Sequence, residues 1–226
     1  MTSKITVIDL FAGPGGLGEG FSSFKNQNTE HPFQIALSVE KEPNAHRTLE
    51  LRSFFRQFNG EPPEEYYRYL KGELDRESLF QRYPSEARAA AAETLGGPRE
   101  LGKKEDDEFI RKQLKKLKGV DGPKVVIGGP PCQAYSLVGR SRNRGVKGYS
   151  AKEDTRHFLY REYLRILDEV QPEVFIMENV KGILSSRVDG KSIFSSVLED
   201  LEDPGKALGR KKGKCYRIYP LSQELD

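Results

Sequence analysis

Cys132 stands in "GGPPCQAYS" (Gly128–Ser136), behind two glycines and two prolines that stiffen the backbone and fix where a thiol points. A structural cysteine normally sits inside an apolar run. This one follows such a run, where a strand gives way to a loop. Facing backbone N–H groups or cations, a thiol at such a place ionises and becomes a nucleophile. Further on, Glu178 closes the apolar segment "PEVFIMENV" (Pro172–Val180). A lone carboxylate there costs several kcal/mol unless it is partnered. Either it is paired for structural reasons, or it is kept for proton chemistry, with partial burial letting it donate near neutral pH. On the residue alone both readings stand.

A third chemical feature lies near the N-terminus. In "DLFAGPGGLGEGF" (Asp9–Phe21), Gly13, Gly15 and Gly18 fit G-x-G-x-x-G behind the strand-like "KITVIDL". The pattern reports that backbone must approach a ligand closely where a strand hands over to a helix, although glycines at such turns also serve packing. Glu40 ends the next strand candidate, and a carboxylate there can accept both hydroxyls of a ribose. An adenosine ligand is thereby supported, without a choice between a nicotinamide dinucleotide and S-adenosylmethionine.

Positioning these groups requires an α/β core. "KITVIDLF" reads as a strand buried on both faces, followed by strand candidates "FQIALSVE" (Phe33–Glu40), "PKVVIGG" (Pro123–Gly129), Pro172–Val180 and "KCYRIYPL" (Lys214–Leu221). Between them, Pro43 opens a helix with a stripe of Ala45, Leu49, Phe55 and Phe58. "DTRHFLYREYLRILDEV" (Asp154–Val170) carries Leu159, Tyr163, Ile166, Leu167 and Val170 at helical spacing. Ser192–Asp203 is a shorter amphipathic helix. Strands alternating with helices imply a mostly parallel sheet with helices on both faces, and ligands gather at the carboxyl ends of such strands. From about residue 60 to 122 the character changes to a charged helical insertion, with Ser85 and Asp106 or Asp107 as N-cap candidates and Gly96 and Gly119 as stops. Leu114 and Leu117 read as packing residues within it.

Composition bounds the remainder. The 226 residues are 36% hydrophobic and 31% charged, which suits one polar domain, and no apolar run approaches the roughly 20 residues of a bilayer span. With Cys132 and Cys215 in dissimilar contexts, a reduced intracellular protein is the simplest expectation. The net charge of +3 does not announce nucleic acid, but "GRSRNRGVKG" (Gly139–Gly148) and "GRKKGK" (Gly209–Lys214) are locally basic. The second reads more readily as a solvated loop.

"DLFAGPGGLGEGF", "VEKEPNA", "GGPPCQAYS", "DTRHFLYREYLRI" and "IMENVKG" stand in the order found in DNA (cytosine-5) methyltransferases, which this chain resembles from Ile5 to about Leu201. The resemblance implies a Rossmann-like S-adenosylmethionine-dependent methyltransferase fold, spanning 1–226 as one incomplete catalytic domain with the insertion at about 60–122. It implies S-adenosyl-L-methionine as cofactor, S-adenosyl-L-homocysteine as product, and no metal. Cys132 would add to carbon 6 of a flipped cytosine, and Glu178 would bind the base and protonate N3. Phe11, Ala12, Gly13, Gly15, Gly16, Glu40, Pro130 and Leu159 would hold the cofactor. Arg140, Arg142, Arg144 and Lys147, in the loop after the nucleophile, would meet phosphates of double-stranded DNA. The family's acidic residue near the adenine is matched only by Glu73 in "KGELD".

Two departures stand out. His157 occupies a position where the family often has glycine. The family's later motifs, among them the target recognition domain, have no counterpart before "SQELD". The expectation is therefore a truncated catalytic portion, or one subunit that needs a second chain, weak or inactive alone. A bacterial, cytoplasmic, nucleoid-associated restriction–modification enzyme is the reading the resemblance favours. A tRNA-directed member of the family and a noncatalytic cofactor-binding subunit are the alternatives.

Overall fold

The computed structural model describes residues 4–28, 30–130, 155–178, 187–188, 191–211 and 213–221. Cys132 and the basic loop at 140–147 lie outside them. The chain divides into two compact units, Met1–Gly128 with Glu173–Ile176, and Gly129–Pro172 with Met177–Asp226.

The first unit is built on a four-stranded sheet of β1 (Ile5–Leu10), β2 (Phe33–Val39), β3 (Lys124–Gly128) and β4 (Val174–Met177), in the order β2-β1-β3-β4. β1 pairs parallel with both neighbours, and β1–β2 changes register between Val7 and Ile8. β1 and β3 are buried from their second residue to their last. Their apolar side chains satisfy both faces of a central parallel strand, which is why their sequences are nearly unbroken apolar runs. Val7, Ile35, Val125 and Ile127 form the sheet's core, covered by Leu17 and Phe21 of α1 (Gly16–Ser23). The first residue of β3 is clipped to the residue just before β4: Glu173 N–H donates to Lys124 O, and Lys124 N–H donates to Glu173 Oε2 at 2.6 Å.

After α2 (Pro43–Arg56) the chain builds α3 (Glu64–Leu70), α4 (Arg76–Arg82), α5 (Pro84–Glu93) and α6 (Lys104–Lys118) before returning to β3. These helices have an aromatic core of their own. Phe54 is fully buried against Leu79 and Ala90, stacked on Phe80 at 4.7 Å between ring centres and edge-on to Phe58 at 5.1 Å. The buried face of α2 is thus His46, Leu49, Ser53 and Phe54, one residue out of step with the stripe expected through Phe55. His46 reaches Thr94 O with Nε2 at 2.8 Å, tying α2 to the end of α5.

The helix starts differ from expectation as well. α5 begins at Pro84 with Tyr83 at the cap, because proline's fixed φ and missing N–H suit the first helical position, so Ser85 is already inside. Asp106 and Asp107 sit in the first turn of α6, behind Lys103. They turn back on the preceding loop, where Asp106 accepts from Glu100 N–H and from Arg99, and Asp107 from Gly102 N–H. Gly119 does cap α6, and Leu114 is buried beneath it.

In the second unit, α7 (Thr155–Val170) buries Leu159, Tyr163, Ile166, Leu167 and Val170, the stripe its spacing predicts. α8 (Ile193–Glu202) and the short α9 (Pro204–Ala207) follow. Asp168 of α7, nearly inaccessible, pairs with Arg210, and its Oδ1 lies against the closely packed Gly205 and Gly213. Arg210 thus ties the "GRKKGK" loop to α7, while Gly209, Arg210, Lys211 and Gly213 stay exposed, as expected of a solvated loop.

The strand expected over Lys214–Leu221 is absent. Among the described residues the segment joins no ladder, and single contacts hold it instead. Tyr216 N–H donates to Glu202 O at 2.8 Å, its hydroxyl donates to Pro172 O, and Lys214 Nζ reaches Gln171 O. Alternating aromatic and polar residues suit a strand, but with no partner strand among the described residues the backbone groups turn elsewhere.

Candidate cofactor and catalytic site

Strand order reverses between β1 and β3, so the crevice expected to take a ligand opens at their carboxyl ends. The glycine turn after β1 and Glu40 after β2 lie at that edge of the first unit. Past β1, Phe11 adopts φ +57° and Gly13 φ +56°. A left-handed backbone at a bulky residue is strained and persists where the surroundings over-determine it, which marks ligand sites. Ala12 N–H donates to Val39 O at 3.0 Å, carrying the turn across to β2. Gly13 N–H then donates to Glu40 Oε2 at 2.7 Å, and Glu42 N–H donates to Glu40 Oε1 at 2.6 Å. Two backbone donors fix the half-buried Glu40 carboxylate in one orientation, and each oxygen keeps a further lone pair to offer.

The glycines divide by task. Gly13 has open space where a Cβ would stand, as a backbone-approach position should. Gly15, at φ +88°, caps α1, and a Cβ there would lie 2.8 Å from Leu49 Cδ1, so its first duty is packing against α2. Gly16 opens α1. Gly128 is obligatory: a Cβ would overlap Leu10 O, at a φ of +138° that other residues rarely adopt.

Beneath the turn lies a group the sequence reading passed over. Asp9 is 1% exposed, and neither carboxylate oxygen accepts a hydrogen bond of good geometry. Burial drives its pKa from 3.8 to about 7; Arg56 opposes this, Glu93 adds to it, the Gly18 N–H offers partial compensation, and Glu40 raises it further. Arg56, on α2, is shared between Glu19 of α1 and Glu93 of α5. Glu93 is itself raised by burial, against the pull of Arg56. The signal in the sequence was the position of Asp9 within an otherwise apolar strand, the same warrant that drew attention to Glu178.

Glu73 is not at this edge. It is exposed, in the turn after α3, and pairs with Arg68 at 3.7 Å. The chain returns to Glu40 later, where Arg99 N–H donates to Glu40 O at 2.8 Å. Glu100 follows, paired with Lys41 at 2.8 Å, and then Leu101, 3% exposed. Lys41, Arg99 and Glu100 line an open pocket of ≈ 340 Å³ together with Glu42, Pro98, Lys103 and Asp106. An acidic residue followed by a buried apolar one, just ahead of the helix leading into β3, was the available signal.

In the second unit Pro130 is buried and Leu159 is 9% exposed. Glu178 lies just past β4 and is exposed, so this chain's own atoms do not supply the partial burial expected of it. Its backbone passes Gly129 so closely that a Cβ on Gly129 would be 2.7 Å from Glu178 O. The residue preceding Pro-Pro-Cys is thereby set beside the glutamate of Glu-Asn-Val.

A family model for C-5 cytosine-specific DNA methylases matches residues 83–206, more than half the chain. The chain belongs to that family. It is 37% identical over 219 residues to the type II methyltransferase M.Bpa9945I of Bacillus paralicheniformis, covering 88% of this chain and 45% of that protein. Against the putative type II methyltransferase M.MjaORF1200P of Methanocaldococcus jannaschii it is 29% identical over 203 residues, 83% of this chain and 51% of the relative. M.FnuDI, a type II methyltransferase of Fusobacterium nucleatum, is 36% identical over 100 residues, 43% of this chain and 26% of its own length. The chain thus spans about half the length of the first two curated relatives it matches. Among the described residues, no helix is long and apolar enough to cross a membrane.

Proposed function

We propose that this chain carries the cofactor-binding and catalytic residues of a DNA cytosine-5 methyltransferase of a bacterial restriction–modification system, acting in the cytoplasm on double-stranded DNA. The observation that carries the reading is the Gly13–Glu40 turn past the carboxyl end of β1, on a chain of this family.

The turn fits S-adenosylmethionine. Glu40, fixed by two backbone donors, offers its free lone pairs to the ribose hydroxyls, Gly13 leaves room for close approach, and Phe11 is held in a strained conformation that commits its ring to one place. Glu100 meets the need for an acidic residue beside the adenine better than Glu73, exchanging Lys41 for the exocyclic amine. When bound, the cofactor supplies a methyl group on a cationic sulfonium.

Carbon 5 of cytosine is a poor nucleophile. The Cys132 thiolate adds to carbon 6, and Glu178 gives a proton to N3, so the ring becomes an enamine nucleophilic at carbon 5. After methylation a solvent base takes the carbon 5 proton, Cys132 leaves as thiolate, and the N3 proton returns to Glu178, which restores the aromatic neutral base. Because carbon 6 is stacked within duplex DNA, the base must leave the helix to be attacked. Glu178, exposed in the free chain, is then covered by the base itself. Arg140, Arg142, Arg144 and Lys147 serve the flanking phosphates, a contribution that weakens with salt.

The test is methyl transfer from labelled S-adenosylmethionine to unmethylated duplex DNA or to tRNA, followed by nucleoside analysis. Label in 5-methyldeoxycytidine supports the reading. Label in an exocyclic amine, or in tRNA alone, contradicts it.

A further inference from the structure

Asp9 lies beneath the turn assigned above to the cofactor, and the groups around it are unbalanced. Arg56 faces it from α2, Glu93 from α5 and Glu40 from beyond β2; α1 offers the Gly18 N–H and carries Glu19, which shares Arg56. Its register partners are Ser38 on β2, itself buried with an unpartnered hydroxyl, and the apolar Ile127 on β3. Three carboxyl groups, of Asp9, Glu19 and Glu93, thus share one arginine that is already paired with two of them, and Glu40 adds a further negative charge near Asp9. A buried carboxylate with no hydrogen bond of good geometry is costly unless a cation compensates it or a proton neutralises it.

The two forms of the cofactor differ by one charge. S-adenosylmethionine carries a sulfonium, an ammonium and a carboxylate, for a net +1; S-adenosylhomocysteine has lost the sulfonium charge and is neutral overall. We propose that Asp9 is a charge-selecting residue of the cofactor site: ionised when the sulfonium form is bound and protonated when the neutral product replaces it, it favours the methyl donor over the spent cofactor. The inference rests on the reading of the turn as an S-adenosylmethionine site. Loading the donor releases a proton from Asp9 to solvent, and Asp9 recovers one after the charge has been transferred away. Selection therefore strengthens as pH rises through the range in which empty-site Asp9 titrates.

The experiment is calorimetric titration of this chain with each ligand at pH 6 and pH 8, in buffers of different ionisation enthalpy. For the unmodified chain, the affinity ratio of S-adenosylmethionine to S-adenosylhomocysteine should rise about fivefold across the interval, with more protons released by the sulfonium ligand. In Asp9→Asn the rise should fall below about twofold. Glu93→Gln, which removes a neighbouring carboxylate and keeps Asp9, should move the transition to lower pH, a displacement that a purely structural role would not produce. A ratio indifferent to pH in the unmodified chain, or an undiminished rise in Asp9→Asn, overturns the proposal. Failure of both ligands to bind at either pH overturns the cofactor assignment itself, a result distinct from a flat ratio.

Discussion

Gly18 faces Asp9: a Cβ on Gly18 would fall 2.9 Å from Asp9 Oδ2, closer than side chains approach. The third glycine of the fingerprint is thus dictated by a buried carboxyl group. Gly18→Ala should destabilise the fold by about 1–3 kcal/mol through overpacking. Asp9→Ala should relieve most of that cost in the double variant, because the two sites touch. Urea unfolding of the two single variants and the double variant measures the coupling, and strict additivity would contradict the relationship.

The same carboxyl makes stability depend on pH. With its pKa raised from 3.8 to about 7, Asp9 keeps its proton in the fold across an interval in which the unfolded chain has lost it. Stability from this group is therefore greatest in acid, falls as pH rises from near 4 to near 7, and is level above. Glu93, also raised by burial, acts in the same direction. Between pH 5 and pH 8 the unmodified chain should lose about 2–3 kcal/mol relative to Asp9→Asn, read from urea midpoints. Parallel profiles would show that Asp9 ionises freely in the fold.

Three carboxylates separate the cofactor geometry from its sequence-level expectation. Glu40→Gln should weaken S-adenosylmethionine binding by on the order of tenfold or more, since one oriented acceptor is lost. Glu100→Gln should weaken it by several-fold, and Glu73→Gln should leave it unchanged. Equilibrium dialysis of the three variants decides among them. An effect at Glu73 with none at Glu100 would return the adenine contact to the earlier segment.

How far the sequence revealed these features depended on the range of the forces involved. β1 and β3 are legible because a strand buried on both faces must be apolar throughout, and α7 because its five buried residues recur within one helix. The insertion's core was not legible. Phe54, Tyr66, Leu79, Phe80 and Tyr83 are scattered over α2, α3, α4 and the turn before α5, so no helical period accumulates in any one of them. Glu100, proposed above to face the adenine, was not legible for a similar reason: its place follows from the Arg99–Glu40 hydrogen bond, a contact between distant segments. Lys214–Leu221 misled in the opposite way, its local alternation satisfying a strand pattern for which no neighbouring strand is present among the described residues.

Gly128 gives the sharpest structural prediction at the catalytic edge. Its φ of +138° and the overlap of any Cβ with Leu10 O leave no room for a side chain. Gly128→Ala should unfold the chain or lower its stability by more than about 3 kcal/mol, since strain and overlap act together. Gly13→Ala, with open space around it and φ +56°, should lose only about 1 kcal/mol. Thermal unfolding by circular dichroism separates the two.

The central claim is that Cys132 attacks carbon 6 of cytosine, and trapping tests it most directly. In a 5-fluorocytosine oligonucleotide the fluorine cannot leave as a proton does, so the thioether persists once carbon 5 is methylated. The chain should be incubated with this DNA and S-adenosylmethionine, both alone and with the C-terminal half of M.Bpa9945I added, beside a Cys132→Ala control. The account predicts an adduct that survives denaturation and requires both the cofactor and Cys132. An adduct formed equally by Cys132→Ala, or none in either format despite cofactor binding, would contradict it.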